Sequence, residues 1–248
     1  MSDLLRRWFP LWRPRPAARW RLLCLPFAGG GASAYREWQD ALPEIEVLAG
    51  QLPGREHRIH ETPVDELPAL LAGLRQAVAA LPTGAPLVLC GHSFGAVLAF
   101  ALTRDLVAAG SPPAALIATG ARAPHCPPRR ILHDLPLPAL LQEMIRLGGT
   151  SPRVLAEPEL LALLEPMLRA DLRVAERSVL PVSPTLPVPI AVFGGTEDPQ
   201  VAPADLQAWS AVAANGCTVS FVPGGHFFIR DARAELCARI VAFLHSQA

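Results

Sequence analysis

The chain has 248 residues with 22 basic and 22 acidic side chains, so its formal net charge is +0. Hydrophobic residues make up 51% of it, enough for the core of one large α/β domain or two small ones. The neutral charge, 6% aromatic residues and a single tyrosine argue against binding to nucleic acid or to an anionic membrane. No run reaches the ~18 apolar residues that a transmembrane helix needs.

The first 19 residues are basic and rich in proline. They lack the unbroken apolar core of a secretory signal and predict a surface arm that ends at the first strand. The cysteines are odd in number, widely spaced and without a CxxC pair, a pattern that favours buried free thiols over disulfides or metal ligands. Free thiols fit a reducing compartment, so we expect a cytoplasmic protein without a metal site. The cysteines are Cys24, Cys90, Cys126, Cys217 and Cys237.

Short apolar runs alternate with longer helical patterns along most of the chain. The predicted strands are 20–26, 44–50, 87–90, 114–120, 188–195 and 217–225, and the predicted helices are 32–42, 66–82, a segment from about 94, 137–148, 158–180 and 232–246. This alternation predicts an α/β fold, an open and mostly parallel sheet with helices on both faces. In such sheets the active groups collect beyond the carboxyl ends of the strands. Between about 124 and 185 only helical patterns occur.

A Gly-x-Ser-x-Gly pentapeptide lies in the stretch "PLVLCGHSFGAVLAF" (86–100), between a predicted strand and a predicted helix. That context is typical of a nucleophile elbow, a turn so tight that the positions flanking the serine must lack bulky side chains. Ser93 would then stand above the sheet at a helix N-terminus. The pentapeptide arises by chance in roughly one chain in twenty of this length, so the strand and helix around it carry the prediction.

A serine nucleophile needs a base, usually histidine, and a carboxylate that holds this histidine in one tautomer. In an elbow fold the chain order is serine, acid, histidine. Asp198 lies just beyond one late strand, and His226 lies on the loop after the next, so these two are the predicted partners; Glu197 is the rival acid. The other histidines precede the serine, adjoin it, or lie in the helical segment or the tail: His57, His60, His92, His125, His133 and His245.

Acyl transfer also needs backbone donors for the oxyanion. The N–H of Phe94, directly after the serine, is one candidate. The second is expected from the loop "LPFAGGGAS" after the first strand, where Phe27 or Ala28 could supply it. A phosphate-binding role for the glycines of this loop is disfavoured, because the GxGxxG spacing and the Walker lysine are both missing.

Over roughly residues 20 to 245 the chain resembles the stand-alone type II thioesterases of nonribosomal peptide and polyketide synthesis. Similar blocks occur in the same order: "LCLPFAGGGASAYREW", "LPGREHRI", "GHSFGA", "GARAPH", "LGGT", "LRADL", "FGGTEDP" and "PGGHFFI". The resemblance implies an α/β-hydrolase fold as a single domain, 1–248, with a helical lid at about 124–185. It implies Ser93 as nucleophile, His226 as base and Asp198 as the residue that orients the base, with no cofactor.

The activity implied by the resemblance is hydrolysis of acyl groups from the phosphopantetheine arm of carrier proteins, which clears mis-primed or stalled intermediates. The alternatives are a medium-chain acyl or product-releasing thioesterase, a small-ester hydrolase, or a hydrolase-like binding protein. The last would need a broken triad, and the sequence retains all three residues. Acyl-loaded carrier proteins are the expected partners, and the expected state is a monomer without nucleic acid or stable membrane insertion.

Two expectations concern the lid. Its leucines and methionines should face apolar surroundings, with parts of each helix packed on the core and one face lining an acyl channel; these are Leu140, Leu141, Met144, Leu160, Leu164 and Met167. Because carrier proteins are usually acidic, arginines on or beside the lid should form a basic rim at the entrance. The candidates are Arg122, Arg129, Arg130 and Arg153.

Overall fold

The computed structural model describes residues 2–149 and 157–247, and within them six strands form one sheet. The strands are β1 (Trp20–Leu25), β2 (Ile45–Ala49), β3 (Leu87–His92), β4 (Ala115–Thr119), β5 (Ile190–Gly195) and β6 (Cys217–Val222). Their order across the sheet is β2-β1-β3-β4-β5-β6, and all five neighbouring pairs are parallel. The carboxyl ends of all these strands therefore lie at one edge, where the active groups of such sheets gather.

The helices in these residues are α1 (Asp3–Trp8), α2 (Trp38–Ala41), α3 (Leu67–Ala79), α4 (Phe94–Ala108), α5 (Leu137–Leu147), α6 (Pro158–Arg177), α7 (Pro203–Gln207), α8 (Phe228–Asp231) and α9 (Arg233–Ser246). Helices α3 and α4 share one apolar core with alternate strand residues such as Leu23 and Leu25. Helices α2 and α9 share a second core with the intervening residues Leu22 and Cys24. Because successive strand side chains point to opposite faces, helices cover the sheet on both sides. No helix in the described ranges combines the length and hydropathy that a bilayer crossing requires.

The predicted helix 32–42 is wrong as a single element. The structure divides it into a 3₁₀ turn, Ala32–Tyr35, and the short helix α2. The break allows Tyr35 and Trp38 to be buried together with an edge-to-face ring contact, their centroids 5.1 Å apart. The Tyr35 hydroxyl donates to the carbonyl oxygen of Leu25 at 2.9 Å. Tertiary burial of two large rings outweighs the weak preference of the segment for a regular helix.

The basic N-terminal segment is not the surface arm that its composition predicts. It begins with α1, and its tryptophans Trp8 and Trp12 are buried in the core that α3 and α4 share. Arg58 lies over the Trp8 ring, 4.7 Å from the ring centroid. Glu61 accepts hydrogen bonds from Arg58 and Arg7, which lower the pKa of Glu61 to about 2. Large apolar rings between the arginines account for the difference, because exposing them to water would cost more than ordering the segment.

All five cysteines carry free thiols; Cys24, Cys90 and Cys237 are buried and the other two are half-buried. Burial raises the pKa of Cys24 well above its usual value and raises that of Cys237 to about 12. Thiols held in the neutral form are poor nucleophiles and poor metal ligands. Cys24 and Cys237 therefore behave as small apolar side chains of the core.

Helices α5 and α6 lie between β4 and β5 in the chain, and no strand occurs in the described residues of the 124–185 segment. They form a third apolar cluster, which brings lid residues against Phe227, the neighbour of His226. The buried members of the cluster are Leu132, Leu140, Met144, Leu147, Leu172 and Phe227. The two helices thus pack over the carboxyl-end edge of the sheet, above β3 and the loop after β6.

Candidate active site

Ser93 stands at the corner between β3, which ends at His92, and α4, which begins at Phe94. Its backbone has φ 54° and ψ −114°, in the region that non-glycine residues rarely adopt. The corner has no room for larger neighbours. A Cβ on Gly91 would lie 2.0 Å from the carbonyl oxygen of Gly95, and a Cβ on Gly95 would lie 2.0 Å from that of Leu25. The close crossing of strand and helix thus requires glycine at both positions and holds Ser93 in its strained turn.

His226 and Asp198 meet on the loops after β6 and β5. His226 Nδ1 lies 2.8 Å from Asp198 Oδ2, and the side chains are 3% and 0% exposed. Asp198 Oδ1 accepts the N–H groups of Gln200, at 2.8 Å, and Val201, at 3.3 Å. Backbone donors and the imidazole thus share the two carboxylate oxygens, which fixes the carboxylate and with it one histidine tautomer.

The rival acid is placed differently. Glu197 is exposed, and no hydrogen bond joins its side chain to His226 in the described part of the chain. The separation follows from the turn after β5, in which the Glu197 N–H donates to the carbonyl oxygen of Gly224 at 2.9 Å. Only Asp198 faces the imidazole.

His92 adjoins the serine and is fully buried. Its Nδ1 is 3.0 Å from Thr119 Oγ1, and its ring centroid is 5.1 Å from that of His226. Burial, and then the neighbouring His226, lower the pKa of His92 well below its usual value. Burial thus favours the neutral form of His92, whose ring lies against that of His226. Of the remaining histidines, His133 is buried in the lid against Glu176.

A cavity of about 200 Å³ lies between this site and the lid. Ser93, His226, Phe27 and Ala28 line its floor, and its walls are mainly apolar, with Glu165 and Gln200 among the polar side chains. Of the lid residues expected to line a channel, Leu141, Met144, Leu164 and Met167 do so. Leu140 packs in the lid cluster, as expected for the packed face, whereas Leu160 faces solvent with 36% exposure, so the expectation is wrong for Leu160. The cavity suits an apolar group attached to a reacting carbonyl at Ser93.

The loop after β1 forms the rim of the site nearest the serine. Within the described residues, the N–H groups of Phe27 and Ala28 have no protein acceptor, and neither has that of Phe94 at the start of α4. Gly29 N–H, in contrast, donates to Asp171 Oδ2 of α6 at 2.8 Å. Free N–H groups at a helix start and on an adjacent loop are the donors that an oxyanion requires. The contact with Asp171 is not suggested by the sequence, which shows only an acid within an amphipathic helix.

The arginines expected at a basic rim are mostly neutralised. Arg129 pairs with Asp205 at 2.9 Å and Arg130 with Glu143 at 2.8 Å. Arg122 is half-buried, and its guanidinium donates to the carbonyl oxygens of Cys126 and Ala175 at 2.9 and 3.0 Å. Arg122 is thus a structural residue rather than a free rim charge. Arg153 lies outside the described residues.

Arg122, Arg129 and Arg130 do share one location. They line a second cavity of about 170 Å³, which also reaches Ser93 and borders Ala28 and Gln200. Two neighbouring spaces therefore meet at the serine, and the second has more polar and charged groups in its lining than the first. One is apolar and lies under the lid; the other carries charged side chains.

A family model described as a thioesterase domain matches residues 20–244. The chain belongs to the thioesterase family. It is 35% identical over 235 residues to the gramicidin S biosynthesis protein GrsT of Aneurinibacillus migulanus, covering 94% of this chain and 91% of that protein. It is 34% identical to the thioesterase PikA5 of Streptomyces venezuelae, covering 93% and 83% of the two chains.

Solved structures agree with this assignment. The type II thioesterase YbtT from the yersiniabactin pathway superposes with a TM-score of 0.87 at 30% identity, covering 96% of this chain and 97% of that one. A serine-to-alanine variant of YbtT superposes with a TM-score of 0.88. The present chain therefore has the α/β-hydrolase fold. It is a type II thioesterase, an enzyme that hydrolyses thioesters. The sequence-based predictions of fold, family and reaction class are confirmed.

Proposed function

We propose that this thioesterase hydrolyses acyl groups from the phosphopantetheine arm of carrier proteins. The task is to clear mis-primed or stalled intermediates of nonribosomal peptide or polyketide synthesis. The observation that carries the proposal is the pair of cavities at Ser93: an apolar one to hold an acyl group and a second, charge-lined one through which an arm can reach the serine. Relatives named for gramicidin S and yersiniabactin synthesis support the pathway class.

In the proposed mechanism Ser93 Oγ attacks the thioester carbonyl carbon while its proton passes to His226 Nε2. The bond between the carbonyl carbon and sulfur then breaks, and the proton on His226 leaves with the thiol. Asp198, bound to Nδ1 at 2.8 Å, holds the imidazole in the tautomer that accepts at Nε2 and stabilises the imidazolium between these steps. Serine–histidine hydrogen bonds often tighten only when substrate binds.

The second half repeats these steps with water. His226 takes a proton from the water, the resulting hydroxide attacks the acyl carbon, and the Ser93 Oγ–carbon bond breaks as the proton returns to the serine. The acid product leaves and the enzyme is restored. Buried and neutral, His92 does not compete for protons during either half.

The oxyanion of each tetrahedral intermediate is assigned to the N–H groups of Phe94 and Ala28. Ala28 is preferred to Phe27 because it borders both cavities beside Ser93, whereas Phe27 borders only the apolar one. The Phe27 side chain packs against Phe227 in an edge-to-face contact, with the two ring centroids 4.8 Å apart. Loss of one oxyanion donor typically costs about 10²–10³ in rate.

The proposal extends to the organisation of the protein. Residues 1–248 are one α/β-hydrolase domain, with the segment 124–185 as a lid that gates the apolar cavity. The enzyme acts as a monomer in the cytoplasm, where acyl-loaded carrier proteins are its partners. The packing of α5 and α6 on Phe227 supports a lid placed directly over the site.

The experiment compares substrates that differ only in the group behind the sulfur. A panel of acyl chains is loaded on a carrier protein, on coenzyme A and on N-acetylcysteamine, and kcat/KM is measured for each. The proposal expects the carrier-bound form to be the best substrate for each chain, and short mis-primed groups to be cleared readily. If coenzyme A thioesters were hydrolysed far better than every carrier tried, the enzyme would be a free acyl thioesterase.

A further inference from the structure

A buried ion pair joins the lid to the loop after β2. Arg55 lies in that loop and Asp171 in α6; their side chains are 3% and 0% exposed. Asp171 Oδ1 accepts from Arg55 Nη2 at 2.8 Å, and Oδ2 accepts from Nη1. Charges buried this deeply persist only where their hydrogen-bonding capacity is nearly complete. The partners that complete it therefore indicate what the pair holds in place.

Arg55 donates from Nε and Nη2 to the carbonyl oxygen of Pro53 in its own loop, each at 3.1 Å. The remaining partners of the pair belong to the backbone of the loop after β1. Asp171 Oδ2 accepts the N–H of Gly29 at 2.8 Å, and Arg55 Nη1 donates to the carbonyl oxygen of Gly30 at 3.2 Å. Gly29 has φ 80°, a left-handed conformation that suits glycine. Hydrogen bonds to ionised groups are stronger than neutral ones, so the pair holds this turn from two sides.

This turn also sets the direction of the Ala28 N–H. Gly30 N–H donates to the carbonyl oxygen of Phe27 at 2.8 Å. That carbonyl belongs to the same peptide group as the Ala28 N–H, and in a planar trans peptide the two point in opposite directions. Holding Gly30 therefore fixes the direction in which the Ala28 N–H points. A shift of the turn would rotate that donor away from Ser93.

We propose that Arg55 and Asp171 are positioning residues for thioester hydrolysis: they hold the turn from Phe27 to Gly30 so that the Ala28 N–H faces the thioester oxygen. The proposal rests on acyl transfer at Ser93, as proposed above, and deepens it. Since Asp171 belongs to α6, the part of that helix around Asp171 keeps a fixed relation to the oxyanion donor, and any gating movement belongs to the rest of the lid. Leu168 and Leu172, beside Asp171 on that helix, line the acyl cavity.

The same helix supplies a matched control. Arg173 pairs with Asp65 at 2.7 Å, and these side chains are 34% and 44% exposed. This second pair also fastens α6 to the rest of the protein, but neither residue lines the apolar cavity. Arg173→Ala thus loosens the lid helix without touching the turn.

The experiment uses the full chain with Asp171→Ala, Asp171→Asn, Arg55→Lys and Arg173→Ala. Rates on an N-acetylcysteamine thioester are expressed per active site, counted with a fluorophosphonate. The second readout is a trifluoromethyl ketone, whose carbonyl carbon bonds to Ser93 Oγ while its oxygen becomes an oxyanion and the Oγ proton moves to His226. The corresponding alcohol, which has no carbonyl, reports ground-state binding.

We expect Asp171→Ala to lower kcat about 100-fold, the scale of a lost oxyanion donor, with KM nearly unchanged. Ketone binding should weaken by a similar factor, whereas alcohol binding should not change. Asp171→Asn, which keeps an oxygen for Gly29 N–H, and Arg55→Lys should each lose roughly tenfold in kcat. Arg173→Ala should keep both kcat and ketone affinity. A pair that only stabilised the fold would not lower kcat while leaving KM unchanged.

The proposal is overturned if Asp171→Asn and Arg55→Lys keep wild-type kcat and ketone affinity while melting at lower temperature. It is also overturned if Asp171→Asn is too unstable to assay, because the pair would then be a stabilising element first. Failure of the carrier-protein assignment would look different. The wild-type enzyme would then prefer coenzyme A thioesters, while the losses on the small thioester remained.

Discussion

The half of the cavity that the sheet supplies differs in construction from the half that α5 and α6 supply. In the sheet half, the positions of the catalytic groups are fixed by the backbone. Gly95 has no space for a Cβ, and both carboxylate oxygens of Asp198 accept hydrogen bonds. In the lid half, apolar side chains face the cavity, and large ones also face solvent. Leu163 and Ile145 are 53% and 50% exposed.

The difference separates two tasks. Polar groups that move protons must be held to within a fraction of an ångström, so they lie on strand ends and tight turns. Apolar groups that hold an acyl chain need only the right volume, which two packed helices provide and which substitution can vary. We therefore expect changes in the sheet half to remove hydrolysis of every substrate, and changes in the lid half to alter which substrate is preferred.

The largest expected effect belongs to the triad. Ser93→Ala and His226→Ala should abolish turnover, and Asp198→Asn should lower kcat by about 10⁴-fold because the histidine tautomer is disturbed. Glu197→Gln, a change at the exposed neighbour, is the matched control and should have little effect. Steady-state kinetics on an N-acetylcysteamine thioester would measure all four. A severe Glu197→Gln and a mild Asp198→Asn would reverse the assignment of the acid.

A smaller effect is expected from the lid wall. Leu164→Ala enlarges the apolar cavity and should shift the ratio of kcat/KM toward longer acyl chains by about tenfold, the scale of one to two methylene groups. Leu163→Ala, on the exposed side of the same helix, should leave that ratio unchanged. A series of straight-chain thioesters would measure both. An equal loss on all chain lengths would mean that Leu164 supports catalysis, and the division of tasks between the halves would fail.

The second cavity should show only a modest electrostatic effect. Arg129 and Arg130 are paired with acids, so Arg129→Gln with Arg130→Gln should slow hydrolysis of carrier-bound acyl groups about threefold at low salt and less at high salt. A small thioester should be unaffected. Replacing Arg75 and Arg239, which also pair with acids at the surface, is the control. Equal losses on carrier-bound and small substrates would show that these arginines do not meet the carrier.

The last effect concerns stability rather than rate, through its dependence on pH. The pKa of His92 is lowered in the folded protein, so the unfolded chain binds the extra proton first as pH falls below its usual pKa of about 6.5. As pH falls from 6.5 to the pKa of His92 in the folded protein, the free energy of unfolding should decrease by at most about 1.4 kcal/mol per pH unit. Above pH 6.5, His92 should cause no change in it. Urea unfolding from pH 5 to 8 would measure the slope.

His92→Asn should flatten this slope, because an amide keeps a partner for Thr119 Oγ1 and does not titrate. His60→Asn, at an exposed histidine, should leave it unchanged. An identical slope in wild type and His92→Asn would mean that a different group is responsible, and that the sheet half holds no buried proton-sensitive residue at this position.

Much of the sheet half could be predicted from the sequence, because its signals are local. Strand runs, the Gly-x-Ser-x-Gly turn and the positions of Asp198 and His226 after late strands all depend on neighbouring residues and on one rule of parallel sheets. The lid helices α5 and α6 were also predicted within a few residues, since apolar periodicity marks an amphipathic helix wherever it packs.

The errors occurred where distant segments decide the outcome. The charge of the N-terminal segment predicts a solvated arm, yet Trp8 and Trp12 pack against apolar residues of α3 and the sheet. The partners of the rim arginines could not be predicted either, because Arg129 and Arg130 pair with Asp205 and Glu143, which lie at distant positions or on another element. Composition does not say which residues will be neighbours.

The sequence by itself determined the order of elements, the elbow at Ser93 and the type of chemistry, because these follow from short patterns and fixed backbone preferences. Only the tertiary structure decided which acid faces His226, which lid side chains face the cavity, and that Arg55 and Asp171, 116 positions apart, meet beneath the loop after β1. Contacts over such separations arise from packing of the whole chain, and a buried charge has meaning only once its partner is known.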